Sequence, residues 1–328
     1  MKLSIGDPGL PEHYLGLAVA EAAGRAGVDL QCRSFDGGGE ARRIASVHEG
    51  MAEVSVGMAE TVRWTYRAEG AYDGWRHTSL RALGVLRYVQ WLGIAARWEA
   101  GIGTLEELRD ERNKRLLAPL PGGRSATWSF ITGRILSACG ATAGQLDAHG
   151  WRVEDLADAQ ARVETADFDV LIAPLGAPGS AYARIWDSAA IKANLRFISL
   201  PHKLLGSLTS DYGISGGAVP AQYLRGIDVP LSTLAFSEWV VVASERLDDE
   251  IALSIANALD EHRELFLPLH AWVARPRTLD SLGLPLHRAV KRRLQEEGIP
   301  ATAAAALNRS RQQLAEPVRT ASGTGVTR

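Results

Sequence analysis

Three loops of the sequence combine glycines with polar side chains, and each is predicted to lead into a helix. Free backbone N–H groups at a helix N terminus, together with the helix dipole, favour an anion such as a carboxylate. Glycine lets the backbone approach a ligand closely, and arginine can pair with a carboxylate through two hydrogen bonds. The residues that we expect to contact a ligand here are Gly9, His13 and Tyr14; Gly37, Gly38, Gly39 and Arg42; and Arg124, Ser125, Thr127 and Trp128.

Each of these residues also has an ordinary structural interpretation. His13 and Tyr14 could pack in the first turn of a helix, and the glycines at 37–39 could form a flexible turn. Arg42 could be a solvated surface side chain. Trp128 could stack on an aromatic ligand or lie in the core. The sequence leaves both interpretations open.

Other motifs argue against hydrolase, metal and nucleotide chemistry. The segment 213–217 matches the Gly-x-Ser-x-Gly of hydrolases, but the residues after it do not begin a helix, which that elbow requires. The eight histidines show no His-x-x-x-His spacing, and there is no Cys-x-x-Cys pair. No glycine-rich phosphate loop is present. We therefore expect no metal and no cofactor.

The composition narrows the class of protein further. The chain has 328 residues, a formal charge of −2 and no long Lys/Arg run, so we expect no nucleic-acid partner. Its two cysteines cannot form a disulfide scaffold. No apolar run approaches the ~20 residues of a membrane helix, so we expect no direct membrane insertion. Residues 1–6 lack the apolar core of a secretory signal, which predicts a cytoplasmic protein, or a periplasmic one if a signal has been removed.

Strand and helix patterns alternate along the chain, which predicts an α/β protein with a mainly parallel sheet. The first series has predicted strands at 2–6, 28–32 and 54–57, and helices from residue 11 and at 40–49. The second series begins near residue 90 and has strands at 115–118, 168–173 and 196–200, with a helix at 127–138. A long strand at 234–243 follows. Thr104 and Glu107 have the spacing of a capping box.

The two series predict two lobes with a cleft between them. Lobe I would comprise residues 1–92 and 238–308, lobe II residues 93–237, and residues 309–328 would be a disordered tail. The crossings near 90–96 and 234–240 would act as hinges. Ligands of such sheets bind at the carboxyl ends of strands, so we place the site in the cleft.

Seven segments occur in the same order as the motifs of one known family and span nearly the whole predicted ordered chain. They are Gly9–Gly16, Ser34–Arg42, Gly50–Val54, Ala100–Leu108, Phe168–Pro178, Val219–Tyr223 and Pro285–Gly298. This pattern resembles the TAXI-type solute receptors of TRAP transporters, which share the type II periplasmic-binding-protein fold. The chain departs from the family's motifs at three positions, with Gly39 in place of Ser, Arg42 in place of Asn and Arg288 in place of Gly.

The resemblance implies a two-lobed fold that binds a small organic carboxylate, aromatic ones included, in the interlobe cleft. It places Gly176 and Pro178 in a further ligand loop. It also implies TRAP membrane subunits as partners if the protein is exported.

An alternative is a cytoplasmic enzyme on the same fold, a cofactor-independent decarboxylase and thus a carbon–carbon lyase, resembling dihydroxyphthalate decarboxylase. Arg42 or Arg124 would hold one carboxylate, and the closed cleft would exclude water. His13 or Tyr14 would then be the catalytic general acid that protonates the carbanion. A third interpretation is a partner-binding protein whose cleft no longer binds a ligand.

Overall fold

The computed structural model describes residues 1–34, 39–121, 125–156, 160–177, 180–274 and 283–298. Within them the strands are β1 Lys2–Ile5, β2 Gln31–Ser34, β3 Val54–Met58, β4 Leu80–Arg97, β5 Arg115–Ala118, β6 Arg152–Asp155, β7 Val170–Leu175, β8 Leu195–Phe197, β9 Ser215–Val219, β10 Leu231–Ser244 and β11 Trp272–Ala274. No helix of the described residues is both long and apolar enough to cross a membrane.

The helices alternate with these strands. They are α1 Pro11–Arg25, α2 Gly39–His48, α3 Ala59–Arg67, α4 Glu107–Asp110, α5 Ala126–Ala138, α6 Ala143–Ala148, α7 Gln160–Glu164, α8 Ala181–Lys192, α9 His202–Tyr212, α10 Asp249–Glu261 and α11 Arg288–Glu296. Short 3-10 turns lie at Gly70–Tyr72, Trp98–Ala100, Arg263–Leu265 and Leu267–Leu269.

All the described strands join one mixed sheet in the order β2-β1-β3-β10-β4-β7-β5-β6, with β9 added to β10 and both β8 and β11 added to β4. β1 is parallel to β2 and β3, and β5 is parallel to β6 and β7. Parallel neighbours need crossover connections, and helices supply them. The predicted α/β class is therefore confirmed. The predicted mainly parallel sheet is wrong for the described strands, because every strand pairing made by β4 and β10 is antiparallel.

Two long antiparallel strands, β4 and β10, connect the two parallel groups. The 239–243 part of β10 pairs with β3, whereas its 231–235 part pairs with β9. The 91–96 part of β4 pairs with β7. Both strands thus change partners along their length, and the register of β10 against β4 shifts between Phe236 and Glu238. The predicted hinges and lobe boundaries fall within these strands and stay predictions.

The core covers both faces of the sheet, as the alternation along β10 shows. Trp239 and Val241 belong to one buried cluster, and Val240 and Val242 belong to another. Successive side chains of a strand point to opposite faces. Full burial of one such aliphatic side chain contributes roughly 1.5–3 kcal/mol. On β4, a Cβ at Gly93 would overlap the ring of Trp186, so glycine is needed for α8 to pack this closely.

Local sequence signals fix the beginnings of several helices. Ser125 accepts a hydrogen bond from the Trp128 N–H at 3.4 Å and caps α5. The predicted Thr104–Glu107 box is confirmed, since the Thr104 hydroxyl accepts from the Glu107 N–H at 3.4 Å and the Glu107 carboxylate accepts from the Thr104 N–H at 3.2 Å. Each such cap contributes about 1 kcal/mol.

Three predicted strands are displaced along the chain. The strand expected at 28–32 is Gln31–Ser34, the one at 168–173 is Val170–Leu175, and the one at 196–200 is Leu195–Phe197. Alternating apolar residues indicate burial, but pairing with a neighbouring strand decides which residues are β. Phe168, for example, is 2% exposed yet precedes its strand. The predicted tail at 309–328 lies outside the described residues.

Candidate functional site

Polar side chains from the first turns of four helices meet at one place between the two parallel groups of strands. Glu12 comes from α1, Glu40 and Arg43 from α2, Thr61 from α3 and Thr127 from α5. Helix α1 connects β1 to β2, α2 connects β2 to β3, α3 follows β3, and α5 follows β5. We call this set the interlobe cluster.

Glu40 is the centre of the interlobe cluster. Its Oε1 accepts from the Met58 N–H at 2.9 Å, and its Oε2 accepts from the Thr61 hydroxyl at 2.9 Å. Met58 is the N-cap residue of α3 and has no side-chain cap of its own. The carboxylate of one helix therefore caps the N terminus of another, where the helix dipole favours negative charge.

Hydroxyl groups extend this hydrogen-bond network from α3 to α5. Thr127 Oγ1 lies 2.9 Å from Thr61 Oγ1 and 2.9 Å from the Tyr72 hydroxyl. Each hydroxyl has a single hydrogen to donate. Thr61 donates to Glu40, and Thr127 Oγ1 also lies 3.5 Å from Glu40 Oε2. The Thr127 hydrogen therefore goes either to Thr61 or to the carboxylate, and the network joins Tyr72, both threonines and Glu40.

Arg43 forms the buried ion pair of the interlobe cluster. Its Nη2 lies 2.9 Å from Glu12 Oε1, and the two side chains are 4% and 12% exposed. Among the described residues the Arg43 Nε has no hydrogen-bond partner. The guanidinium therefore forms its hydrogen-bonded ion pair with Glu12, and its effect on Glu40 is electrostatic.

Burial dominates the electrostatics of two carboxyl groups here. Desolvation raises the pKa of Glu40 from 4.5 to about 7; Arg43 lowers it and Glu12 raises it. Desolvation also raises the pKa of Glu60, in the first turn of α3, to about 7, with Glu238 and Glu40 adding to the rise. Both groups are thus partly protonated near neutral pH, because burial penalises the charged form.

Tyrosines around the interlobe cluster respond to the same negative charge. Desolvation raises the pKa of Tyr72 well above its ordinary value, and Glu40 raises it further. The pKa of Tyr182, at the start of α8, is also raised by desolvation, then by Glu12 and Glu40. Tyr182 therefore brings α8 to the same place, and both phenols stay neutral hydrogen-bonding groups.

The first predicted loop lies beside this site. Gly9 has a φ of +96°, and its carbonyl accepts from the Ala181 N–H at 2.9 Å, which ties the loop to the start of α8. His13 Nδ1 lies 3.0 Å from the Gly6 carbonyl oxygen. A carbonyl only accepts, so Nδ1 carries the hydrogen of that bond. Tyr14 is 40% exposed. Their ligand contacts stay predictions.

The second and third loops are only partly covered. Gly37, Gly38 and Arg124 lie outside the described residues. Gly39 begins α2 with a φ of +56°. Arg42 is exposed on α2, which matches its surface interpretation.

The described third-loop residues are mainly structural or buried. Ser125 caps α5, and Thr127 belongs to the interlobe cluster. Trp128 is 3% exposed and meets the edge of Phe236, with ring centroids 4.7 Å apart. Its ring is already covered by protein, so the core interpretation of Trp128 describes its position.

The loop around Gly176 is held by two tyrosines. The Tyr223 hydroxyl donates to the Gly176 carbonyl at 3.0 Å, and the Tyr88 hydroxyl accepts from the Ala177 N–H at 3.1 Å. Pro178 lies outside the described residues. Hydrogen bonds with Tyr223 and Tyr88 therefore hold the loop at Gly176 in place. Its contact with a ligand stays a prediction.

Sequence reasoning missed Glu40, Arg43 and Glu60 as site residues, although one pattern pointed to the first two. Glu40, Arg43, Ile44 and Val47 have the i, i+3, i+4, i+7 spacing of one helix face, and all four are buried. Arg42 falls on another face of α2. The apolar Ile44 and Val47 identify the inward face, so the buried arginine could have been found by helical geometry.

Two features of the described residues concern metal and hydrolase chemistry. No group of three His, Cys, Asp or Glu side chains among them could hold a metal ion. Ser215 of the Gly-x-Ser-x-Gly match begins strand β9 just after helix α9 ends. A hydrolase elbow needs the opposite order, strand then helix.

The fold is that of the two-lobed, type II periplasmic binding proteins. The structure of the periplasmic binding protein BugD has this fold; it is 12% identical, with a TM-score of 0.50 over 94% of this chain and 96% of that one. The chain belongs to the NMT1-like family, which matches residues 12–298.

Two further solved structures are similar at lower TM-scores. PhnD1 from Prochlorococcus marinus (MIT 9301), in complex with methylphosphonate, is 9% identical with a TM-score of 0.49 over 86% of this chain and 96% of that one. The aliphatic sulphonate binding protein SsuA from Escherichia coli is 13% identical with a TM-score of 0.45 over 96% and 90%.

Proposed function

We propose that this protein is a solute receptor that holds a small polar molecule between its lobes. The hydrogen-bonded series from Tyr72 through Thr127 and Thr61 to Glu40 supports the proposal most directly. It joins the first turns of helices from both parallel groups of strands at the carboxyl ends where such sheets bind ligands. A solute that contacts both groups would favour the closed arrangement, because it binds that arrangement better.

The finer prediction, a carboxylate solute of a TAXI-type receptor, rests on the order of the sequence motifs. A carboxylate needs a cationic or N–H partner in the cleft. Of the arginines predicted for that role, Arg42 is exposed and Arg124 lies outside the described residues. Carboxylates are therefore tested beside other classes of solute.

The test is a thermal-shift screen of the whole chain against carboxylates, amino acids and amines, followed by small-angle scattering with each stabilising solute. A receptor gains stability, since a solute that binds only the folded state must raise it, and its radius of gyration falls on closure. A screen in which no solute of any class stabilises the protein would contradict the proposal.

The decarboxylase alternative is decided by the same samples. Mass spectrometry of each stabilising solute after incubation distinguishes an intact ligand from one that has lost CO₂. If CO₂ is lost, His13→Ala and Tyr14→Phe become the next variants. In the enzyme they abolish turnover while binding remains; in a receptor there is no turnover to lose.

Partner and compartment are proposals as well. A TRAP-linked receptor works outside the cytoplasmic membrane and binds the membrane subunits when it carries solute. The predicted cytoplasmic location is tested by fractionating the source cells and probing each fraction with an antibody. Protein found in the periplasmic fraction would favour the transporter partner, and protein in the cytoplasmic fraction would remove it.

A further inference from the structure

Several carboxyl groups act on one another at the site, among the residues that the structure describes. Glu60 interacts electrostatically with Glu40 and Glu238, and Arg63 acts on it with the opposite sign. Arg43 is paired with Glu12. We call the acidic cluster the three carboxyl groups of Glu12, Glu40 and Glu60.

Glu60 has an acceptor atom that nothing among the described residues uses. The residue is 7% exposed, and its Oε2 has no hydrogen-bond partner there. Arg63, one turn along α3, donates instead to the Tyr212 carbonyl. A buried carboxylate oxygen without a donor costs free energy, and native proteins normally satisfy such atoms. A donor supplied from outside the chain would remove that cost.

The position best suited to an anion is already filled by the protein itself. Glu40 accepts the Met58 N–H at the start of α3 and the Thr61 hydroxyl, which are the groups that would otherwise hold a ligand carboxylate. A second carboxylate placed beside Glu40 and Glu60 would be repelled by both.

We propose that the solute bound in this cleft carries a protonated amine, which donates to the free Glu60 carboxylate oxygen and is attracted by Glu40. This inference rests on the proposed receptor function and specifies its ligand. An ammonium group is a compact charge with three donors and no acceptor, and so suits several neighbouring carboxylate oxygens. Burial is the main cause of the raised pKa values of Glu40 and Glu60, and neighbouring carboxylates raise them further; a bound cation would offset that second contribution.

The test compares amines with carboxylates of the same carbon skeleton: butylamine with butyrate, and putrescine with succinate. Isothermal titration and thermal shift on the whole chain, at low ionic strength and about pH 8, measure binding while the carboxyl groups are ionised. We expect the amines to bind and to stabilise, and their carboxylate counterparts to do neither. Binding of the carboxylates alone overturns the amine and leaves the receptor function intact, whereas binding of no solute from any class overturns both.

A matched pair of variants locates the binding. Glu60→Gln removes the charge of the free acceptor and should weaken amine binding about tenfold or more, equivalent to about 1.4 kcal/mol. Glu21→Gln makes the same change at a 58% exposed carboxylate on α1 and should leave affinity within about twofold. Circular dichroism confirms that both variants fold. Equal weakening in the two variants would overturn the assignment, because it would reflect only the overall charge.

Discussion

Carboxylates meet arginines in two very different settings in this protein. On the surface, Asp249 at the start of α10 pairs with Arg288 and Arg292 of α11 at 2.6 and 3.0 Å. The hydrogen bonds and charges of these arginines hold its pKa below the ordinary value. In the interior, burial raises the pKa of Glu40 to about 7 although Arg43 is near. The same chemical groups therefore have opposite protonation behaviour.

The difference lies in hydration and in the number of each charge. Asp249 has two arginines and open access to water, so ionisation is easy. Glu40 shares Arg43 with Glu12 and has lost its water, so ionisation is penalised. Surface pairs contribute little to stability, whereas buried charges cost desolvation that good geometry only partly offsets. The interior arrangement therefore contributes little to stability, which favours a role in ligand binding.

The largest expected effect comes from removing the interior arginine. Arg43→Met leaves Glu12 and Glu40 buried without their cation and should lower the free energy of unfolding by about 3–5 kcal/mol. Denaturant titration at about pH 8 measures it. Arg42→Met, the exposed neighbour on α2, is the control and should change stability by no more than about 0.5 kcal/mol. A larger loss for Arg42→Met would mean that the inward face of α2 is misassigned.

The next effect is on the pH dependence of stability, of which Glu60→Gln should remove the part due to Glu60. In the folded protein the pKa of Glu60 is about 7, against 4.5 ordinarily, so the folded state holds the proton more tightly. Stability therefore falls as pH rises from about 4.5 through 7. In the variant the decrease in the free energy of unfolding over this pH range should be smaller by roughly 2–3 kcal/mol. Unfolding curves at about pH 5 and pH 8 measure the difference, and an unchanged slope would contradict the raised pKa.

A smaller effect is expected from the Thr127 hydroxyl, which links α5 to α3. Thr127→Val removes the hydrogen bonds to Thr61 and Tyr72 and should cost about 1–2 kcal/mol. Thr132→Val, on the same helix, is the matched control because the buried Thr132 hydroxyl has no partner among the described residues. It should be neutral or stabilising. If both variants lower the stability equally, the hydrogen bonds of Thr127 contribute nothing.

The smallest effect is expected for the surface group of Asp249, Arg288 and Arg292. Its contribution to stability changes with pH in the opposite direction to that of Glu60. The pKa of Asp249 is lowered, so its contribution is present above about pH 4 and is lost as pH falls through the lowered value. Asp249→Asn should leave unfolding at about pH 8 nearly unchanged, since solvent screens exposed pairs. Melting curves of this variant and of Glu60→Gln at matched pH values test the contrast directly. If both substitutions changed the pH dependence of stability in the same direction, relative to the unmodified protein, the distinction between Asp249 and Glu60 would be lost.

Much of the fold could be predicted from local patterns. The strand at 115–118 was located to the residue, and the helices at 40–49 and 127–138 differ from α2 and α5 by one residue at their ends. The Thr104–Glu107 box also formed as expected. These features depend on interactions between residues of the same turn or strand, so a short stretch of sequence is enough to predict them.

The candidate site was only partly predictable. Glycine-rich loops at helix beginnings identified the right regions, and Thr127 was among the expected residues. Arg42 was chosen over Arg43 because the loop motif was considered without the helical face that Ile44 and Val47 define. Glu60 carries no motif, and only its burial beside other carboxylates marks it.

The sequence by itself determined the alternation of strands and helices, the caps, and the polar loops at helix beginnings, because these follow from backbone geometry over a few residues. Tertiary structure alone decided that Glu40 caps α3 and reaches toward Thr127, 87 residues away in the chain. It also decided which carboxyl groups lose their water. Desolvation depends on what packs around a group from every direction, and no local pattern specifies that.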